Sequence, residues 1–391
     1  MTKKLKEKYP WMTFEINLTG LSLKTWTQLG ECLSKCQHLS RVPLKPQVAN
    51  NLHLVYLAKG VQATTAIEGN TLSEEDVMLK IEDKLELPPS KEYLGQEVEN
   101  ILTLCNEIAS SIRDGKDNAI TTERIWKYNK TILNNVPLPE HVIPGKFRQH
   151  TVGVGSYKAP DYQDVAPLMG DLCNWLNSSY FQSSEIHPII ISIIKAVIAH
   201  LYIAWIHPFG DGNGRVGRIL EFAILLNSGV PSPAAHLLSN HYNATRNEYY
   251  RQLDLSSKKR NVHSFISYAV QGFLDGLKEQ QDFIFNQTLD IFWESYIYEI
   301  FGDETTTGSK ARAKRLRTVM LELSKQKEPV SLEKLFTLNQ NIFNCYRGKS
   351  PITLRRDMIE LMKQDLIKEV DQGIKAKKEK ILAFLPMSSR N

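Results

Sequence analysis

From Ile206 to Arg218 the chain reads Ile-His-Pro-Phe-Gly-Asp-Gly-Asn-Gly-Arg-Val-Gly-Arg, and these residue types at this spacing can handle phosphate. His207 supplies an imidazole whose free pKa of about 6.5 suits a general base at neutral pH. Asp211 is a hard oxygen ligand, the kind that holds Mg²⁺ together with phosphate oxygens and waters. Gly212 and Gly214 flank Asn213 and let the backbone turn tightly, so that several N–H groups converge. The apolar run Ile219 to Leu226 continues from them as a helix, and an anion at its amino end meets unpaired N–H groups and the positive end of the dipole. Arg215 and Arg218 stand three apart, on one helix face, as planar forks suited to phosphate oxygens. Singly, such residues are ordinary: a core histidine, an Asp-Gly turn, a solvated arginine face. Together they imply phosphoryl or nucleotidyl transfer to a hydroxyl.

The elements that must position them are mostly helices. Ile189 to Ile206 is an apolar run approaching membrane-spanning length, but Ser192, Lys195 and His200 lie inside it and the polar loop follows at once. It is expected to be a buried central helix, with no membrane partner. Apolar residues recur at three and four over most of residues 20–300, behind capping signals such as Ser73 with Asp76 and Thr121-Thr122-Glu123, which predicts an α-rich body. One stretch interrupts it. Between Phe147 and Pro160, the alternation of Val152, Gly153, Val154 and Gly155 predicts a short hairpin or flap.

Composition bounds the class. With 391 residues, 42% hydrophobic and 23% charged, the chain is a globular protein of two or three domains, and disordered and fibrous classes drop out. The net charge of +5 is unevenly spread: residues 310–391 carry 19 Lys and Arg against 9 Asp and Glu. Five cysteines without CxxC spacing read as reduced, mostly buried thiols. Trp11, Glu15 and Asn17 interrupt any apolar stretch behind the basic amino terminus, so a cytoplasmic location is expected.

The segment His207 to Arg218 matches without departure the motif His-Pro-Phe-X-Asp/Glu-Gly-Asn-Gly-Arg-X-X-Arg, and in this the chain resembles the Fic family. The resemblance implies a mainly α, Fic-type helical core with a short β-hairpin flap. It also implies transfer of AMP from ATP, with Mg²⁺, to a Ser, Thr or Tyr hydroxyl of a target protein. His207 would deprotonate that hydroxyl and Asp211 would hold the metal. The amides of Gly212, Asn213 and Gly214 with Arg215 would form the anion hole, and Arg218 would grip the γ-phosphate. Gly145-Lys146-Phe147-Arg148 followed by Val152 to Gly155 resembles the family's flap, an edge for the target segment to pair with. Tyr249 and Tyr250 resemble its adenine side, although tyrosines at helical spacing also serve as core. An Asn that some relatives carry eight positions after the first tyrosine is Ser257 here.

Upstream, Thr64-X-X-X-Glu68-Gly69 resembles the inhibitory motif of relatives that carry their own brake. Glu68 would pair with Arg218 and take the place of the γ-phosphate, since one arginine cannot serve a carboxylate and a phosphate at once. The other reading of this string is a plain helix end capped by Gly69. The same carboxylate could also orient a water that removes AMP from a modified target.

Residues 311–391 resemble a winged helix-turn-helix domain, with Arg355 and Arg356 on the recognition-helix candidate and Lys375, Lys377, Lys378 and Lys380 on the wing. Such a domain would bind DNA mainly through phosphate neutralisation, or else mediate homodimerisation or target docking. Three regions are expected: 1–110 carrying the inhibitory motif, 111–300 catalytic, and 311–391. The competing functions are a nucleotide-sensing transcriptional regulator and transfer of another phosphate-linked group, such as phosphate or UMP.

Overall fold

The computed structural model describes residues 3–116, 118–154, 157–182, 184–302 and 307–382. In chain order the helices are α1 (Lys3–Lys8), α2 (Leu23–Leu39), α3 (Pro46–Ala66), α4 (Glu74–Ile81), α5 (Glu92–Arg113) and α6 (Thr122–Ile132). The strands β1 (Gly153–Val154) and β2 (Tyr157–Lys158) follow, then α7 (Tyr162–Leu176), α8 (Pro188–Ile206), α9 (Asn213–Asn227), α10 (Leu237–Ala244), α11 (Arg246–Lys259) and α12 (His263–Ile300). The chain ends with α13 (Thr307–Ser324), α14 (Leu332–Phe336), α15 (Gln340–Tyr346), α16 (Pro351–Lys363), β3 (Ile367–Val370) and β4 (Gly373–Ala376).

The caps read from the sequence operate. The Ser73 side chain accepts from the Asp76 amide while the Asp76 carboxylate accepts from the Ser73 amide, closing a capping box on α4. Thr121 accepts from the Arg124 amide at the start of α6. Helix α8 opens with Pro188 in its first turn, where a missing N–H costs nothing. It is mostly apolar because most of it is surrounded: Ile194, Val197, Ile198 and Leu201 are essentially inaccessible, each such side chain contributing about 1.5–3 kcal/mol. Although α8 is long and apolar enough to cross a membrane, its burial is that of a core helix, and α9 packs along it.

The chain divides into two compact units, Met1–Gln281 and Asp282–Asn391. The polar stretch Gly302 to Ser309 separates the second and third regions expected from the sequence, but the break between the compact units falls inside α12, because Trp293, Ile297 and Phe301 belong to the second hydrophobic cluster together with Val319, Met320 and Leu361. Nor does 1–110 stand apart from the catalytic region: one continuous core runs from Leu5 to Leu277. In the second unit three short helices lead to the antiparallel hairpin β3–β4, and Val330 bridges to Ile374. Asp357, buried in α16, accepts from Arg315 at 3.1 Å and from the Tyr346 hydroxyl at 2.8 Å, tying α13 and α15 to it.

Candidate active site

The segment singled out in the sequence is the corner between the two central helices. Helix α8 ends at His207, which adopts a left-handed conformation (φ 50°, ψ 60°), uncommon for a non-glycine residue and held only where surroundings enforce it. Gly212 (φ 82°) then starts α9. Inside the corner, the Asn213 side chain accepts from the Phe209 amide and donates to the Phe209 carbonyl, both at 2.9 Å. Its amide group closes the loop on itself. Phe209 is buried against Phe147.

Two residues from other elements hold the corner from outside. Asn129 of α6 donates to the Asp211 carbonyl at 2.9 Å and accepts from the Gly145 amide at 2.9 Å. Arg148 is almost fully buried and donates to the carbonyls of His207 (2.7 Å), His150 (2.7 Å) and Pro160 (2.6 Å). Its backbone amide also donates to the Pro208 carbonyl at 2.9 Å. One guanidinium thus fixes both the strained His207 corner and the base of the β1–β2 hairpin. In that hairpin Gly153 pairs with Lys158 and Val154 with Tyr157, while the Ala159 amide reaches the Val152 carbonyl. Gly155, named with the flap, lies outside the described residues.

Arg215 and Arg218 share a helix face but reach different partners. Arg215 extends to Asp211 Oδ1 at 3.3 Å and to Glu97 Oε1 at 3.4 Å. Arg218, 1% exposed, donates through Nη2 to Glu68 Oε1 at 2.6 Å and to the Thr64 carbonyl at 3.0 Å. Its Nε and Nη1 have no hydrogen-bond partner among the described residues. Glu68 arrives there because α3 ends just before it: the Gly69 amide bonds back to the Ala66 carbonyl, the Asn70 amide to the Thr65 carbonyl, and Gly69 takes φ 103°. Burial alone would raise the Glu68 carboxyl's pKa, but Arg218, with Arg215 and Arg246 behind it, holds it below the usual carboxylate range. Gly214 is required at this meeting, since a Cβ there would stand 2.5 Å from Glu68 Oε1 and 3.0 Å from Arg218 Nη1.

A cavity of about 610 Å³ opens over the corner, lined by Glu68, His207, Gly214, Arg218, Tyr249 and Tyr250 among others, a size suited to a nucleotide-sized ligand. Burial pushes the His207 imidazole down to about 4, with the Ala204 carbonyl acting in the opposite direction and Arg148 adding to the depression. The side chain is therefore neutral across the physiological range and ready to accept a proton. The two tyrosines separate. Tyr249 is buried, its hydroxyl 2.9 Å from His200 Nε2 and its ring stacked on Tyr242. Tyr250 is 45% exposed and donates to the Ile67 carbonyl at 3.2 Å, beside the Glu68 turn. Tyr249 is thus chiefly a core residue with one edge on the cavity, and Tyr250 is the accessible aromatic surface. Ser257 also lines the cavity.

Asp211 fits a single-carboxylate Mg²⁺ ligand. Its Oδ1 accepts from the Gly212 amide at 2.5 Å and faces Arg215, while no partner is found for Oδ2 among the described residues and the side chain is 43% exposed. No cluster of three His, Cys, Asp or Glu is found among the described residues, so the remaining ligands of a metal here would be phosphate oxygens and water. When bound, it would neutralise phosphate charge beside Arg215.

Arg148, Asn129 and Glu97 were not singled out as site residues in the sequence. Their partners are carbonyls or charges on distant elements, and only the Gly145-Lys146-Phe147-Arg148 string before the hairpin gave a signal. A buried chain was missed as well: Glu221 Oε2 lies 2.9 Å from His200 Nδ1 and Glu221 Oε1 accepts from the Tyr242 hydroxyl at 2.8 Å. Through His200 this chain holds Tyr249 at the cavity wall.

Residues 119–225 match the Fic/DOC family model. A protein adenylyltransferase of Caenorhabditis elegans, fic-1, is 28% identical over 275 residues, covering 69% of this chain and 50% of that protein. The protein adenylyltransferase Fic of Drosophila yakuba is 29% identical over 214 residues, covering 55% of this chain and 38% of that protein. The chain thus spans about half the length, or less, of these curated relatives. Among solved structures, a Fic family protein from Desulfovibrio desulfuricans G20 superposes with a TM-score of 0.54 at 21% identity, covering 91% of this chain and 93% of that one. A C. elegans Fic-1 structure superposes with a TM-score of 0.53 at 22% identity, covering 65% of this chain and 71% of that one. The mainly α core with a short hairpin flap is accordingly the Fic fold.

Proposed function

We propose that this chain is a protein adenylyltransferase restrained by its own Glu68. The observation that carries the proposal is the Glu68–Arg218 contact of 2.6 Å at the mouth of an otherwise formed anion site. The Gly212–Gly214 amides at the start of α9, with Arg215 and Arg218, receive the phosphates of ATP. The neutral His207 takes the proton of a Ser, Thr or Tyr hydroxyl as its oxygen attacks the α-phosphorus. The bond to the β-phosphate oxygen breaks and pyrophosphate leaves. Catalysis is chiefly positioning and charge stabilisation. The β1–β2 edge aligns the target segment through backbone pairing, which reads little of its sequence. With Glu68 on Arg218, the γ-phosphate lacks its grip and the α-phosphate is badly placed for attack.

The test is intact mass spectrometry of wild type, Glu68→Gly and Glu68→Gly/His207→Ala, each incubated with ATP, Mg²⁺ and a cell lysate as a source of targets, with labelled AMP followed on all proteins. Incorporation is expected with Glu68→Gly alone. Equal incorporation by the double variant would remove His207 as the base.

For residues 282–391 we infer a winged helix, supported by the order of short helices followed by the β3–β4 hairpin. The wing lysines are engaged within that unit: Lys375 with the Lys327 carbonyl, Lys377 with Asp365, Lys378 with Asp290 and Lys380 with the Gln364 carbonyl. Arg355 and Arg356 on α16 are exposed and are the groups through which phosphate contact with DNA would run. A cytoplasmic location suits five free cysteines.

A further inference from the structure

The active-site cavity is not the only large one in the first unit. A second, of about 830 Å³, shares no residue with it and lies against the amino-terminal half of α8 and the carboxy-terminal half of α9. Its walls combine apolar side chains such as Leu104, Ile108, Phe181 and Ile191 with polar ones such as Ser111, Gln182 and Ser192. In that wall stands Lys195, twelve positions before His207 and so about 18 Å from it along the helix. Pro188, Ile191, Ser192 and Lys195 recur at helical spacing and all line the cavity, so this face of α8 is turned to it. Lys195 has no hydrogen bond or ion pair among the described residues, and its ammonium lies 5.8 Å from the centre of the Phe181 ring.

The surrounding charges do not supply the missing partner. Glu107 is engaged by Lys127 at 2.7 Å, Arg124 donates to Asn118, and Glu123 stands exposed at the rim. Lys195 is left as a half-buried cation beside the apolar side of the cavity, and burial lowers its pKa, as for an ammonium without a counter-charge. A protein interior seldom leaves a charge so placed unless something completes it. The volume falls within the range of small-molecule sites, which pair apolar walls with a few placed polar groups.

We propose that this cavity binds a small amphiphile bearing one carboxylate, whose head pairs with Lys195 and whose hydrocarbon body lies along the apolar walls. A monoanion is favoured over a phosphate because Lys195 is a single ammonium, the other lining cations Lys127 and Arg124 being engaged by Glu107 and Asn118, and because Glu107 and Glu123 also line the cavity. The site is separate from the Fic corner and does not rest on the adenylyltransferase reading.

Calorimetric titration of the full chain tests it, with dodecanoate as the probe and dodecan-1-ol and dodecyltrimethylammonium as comparators. Dodecanoate is expected to bind saturably, one per chain, and the ammonium amphiphile not at all. Lys195→Met, which keeps the length of the side chain, should weaken dodecanoate at least about tenfold, the loss of one charge-assisted hydrogen bond, and Lys195→Arg should retain it. Ala223→Phe, which fills the cavity from α9, should block binding with Lys195 intact. It serves as the test if Lys195→Met does not fold. No saturable binding of dodecanoate overturns the proposal. So does equal binding by Lys195→Met, or equal binding of the ammonium amphiphile.

Discussion

Replacing Glu68 by Gln keeps the side chain's length and removes its charge, and it isolates the competition for Arg218. In the structure Arg218 is almost wholly buried, with Nη2 engaged while Nε and Nη1 have no hydrogen-bond partner among the described residues. A phosphate, with several oxygens, can serve more of that fork than Glu68 does, so the carboxylate must be displaced before the γ-phosphate is gripped. The contact to be broken is a charge-assisted hydrogen bond, about 1.5–3 kcal/mol. Glu68 is a third exposed through the cavity mouth, so solvent screening places its worth in the lower part of that range. At about 1.5–2 kcal/mol, kcat/KM for ATP should rise roughly tenfold to thirtyfold in Glu68→Gln. The assay is the initial rate of label transfer from ATP labelled at the α-phosphate, read beside ATP affinity by calorimetry. Glu68→Asp keeps the charge but is one methylene short of Arg218, and it should fall between wild type and Glu68→Gln. If Glu68→Gln leaves both rate and affinity unchanged, the shared-arginine reasoning is wrong. If affinity rises and transfer does not, the γ-phosphate grip forms but is not what limits the reaction.

Adding a methyl group at Gly214 in the Glu68→Gly background should suppress the released activity by at least about tenfold, because the Cβ would crowd Arg218 and the space an anion must enter; full activity in Gly214→Ala would mean that phosphate lies elsewhere. Arg148→Ala leaves three carbonyls without their donor, at about 1–3 kcal/mol each. Urea denaturation should therefore show a loss of at least about 3 kcal/mol, and a variant as stable as wild type would count against the clamp. A base must be unprotonated, and burial sets His207 at about 4, so the acid limb of kcat/KM in Glu68→Gly should fall well below pH 6. Glu68 is among the groups raising that pKa, so its removal cannot move the limb upward; a limb near pH 6.5 would show that His207 titrates as a free imidazole. Filter binding to duplex DNA should weaken and lose salt dependence in Arg355→Ala/Arg356→Ala and change little in Lys378→Ala, whose ammonium is committed to Asp290. The reverse pattern would place the contact on the turn that follows β4.

What was legible in the sequence was what is contiguous in the chain. The His207–Arg218 segment could be picked out because a single corner between two helices carries it, and α8 because a helix buried over most of its surface keeps few polar side chains. Tyr249 and Tyr250 look equivalent in sequence, yet adjacent helical residues point about 100° apart, and only the partners His200 and Tyr242 decide which is core. Arg148, Asn129 and Glu97 carry no periodic signal, since what they hold is backbone or charge from elements 59, 82 and 118 positions away. The domain break was mislaid although its signal was present. Trp293, Ile297 and Phe301 recur every fourth residue, the stripe of a helix covering another core, and the polar stretch after Gly302 drew the boundary away from them. At Glu68 the two readings of one string do not exclude each other. Gly69 does end α3, as a plain helix cap would, and that left-handed turn is what delivers the carboxylate to Arg218. A substitution that removes φ > 0 at residue 69 should therefore disturb the contact while leaving every charge in place.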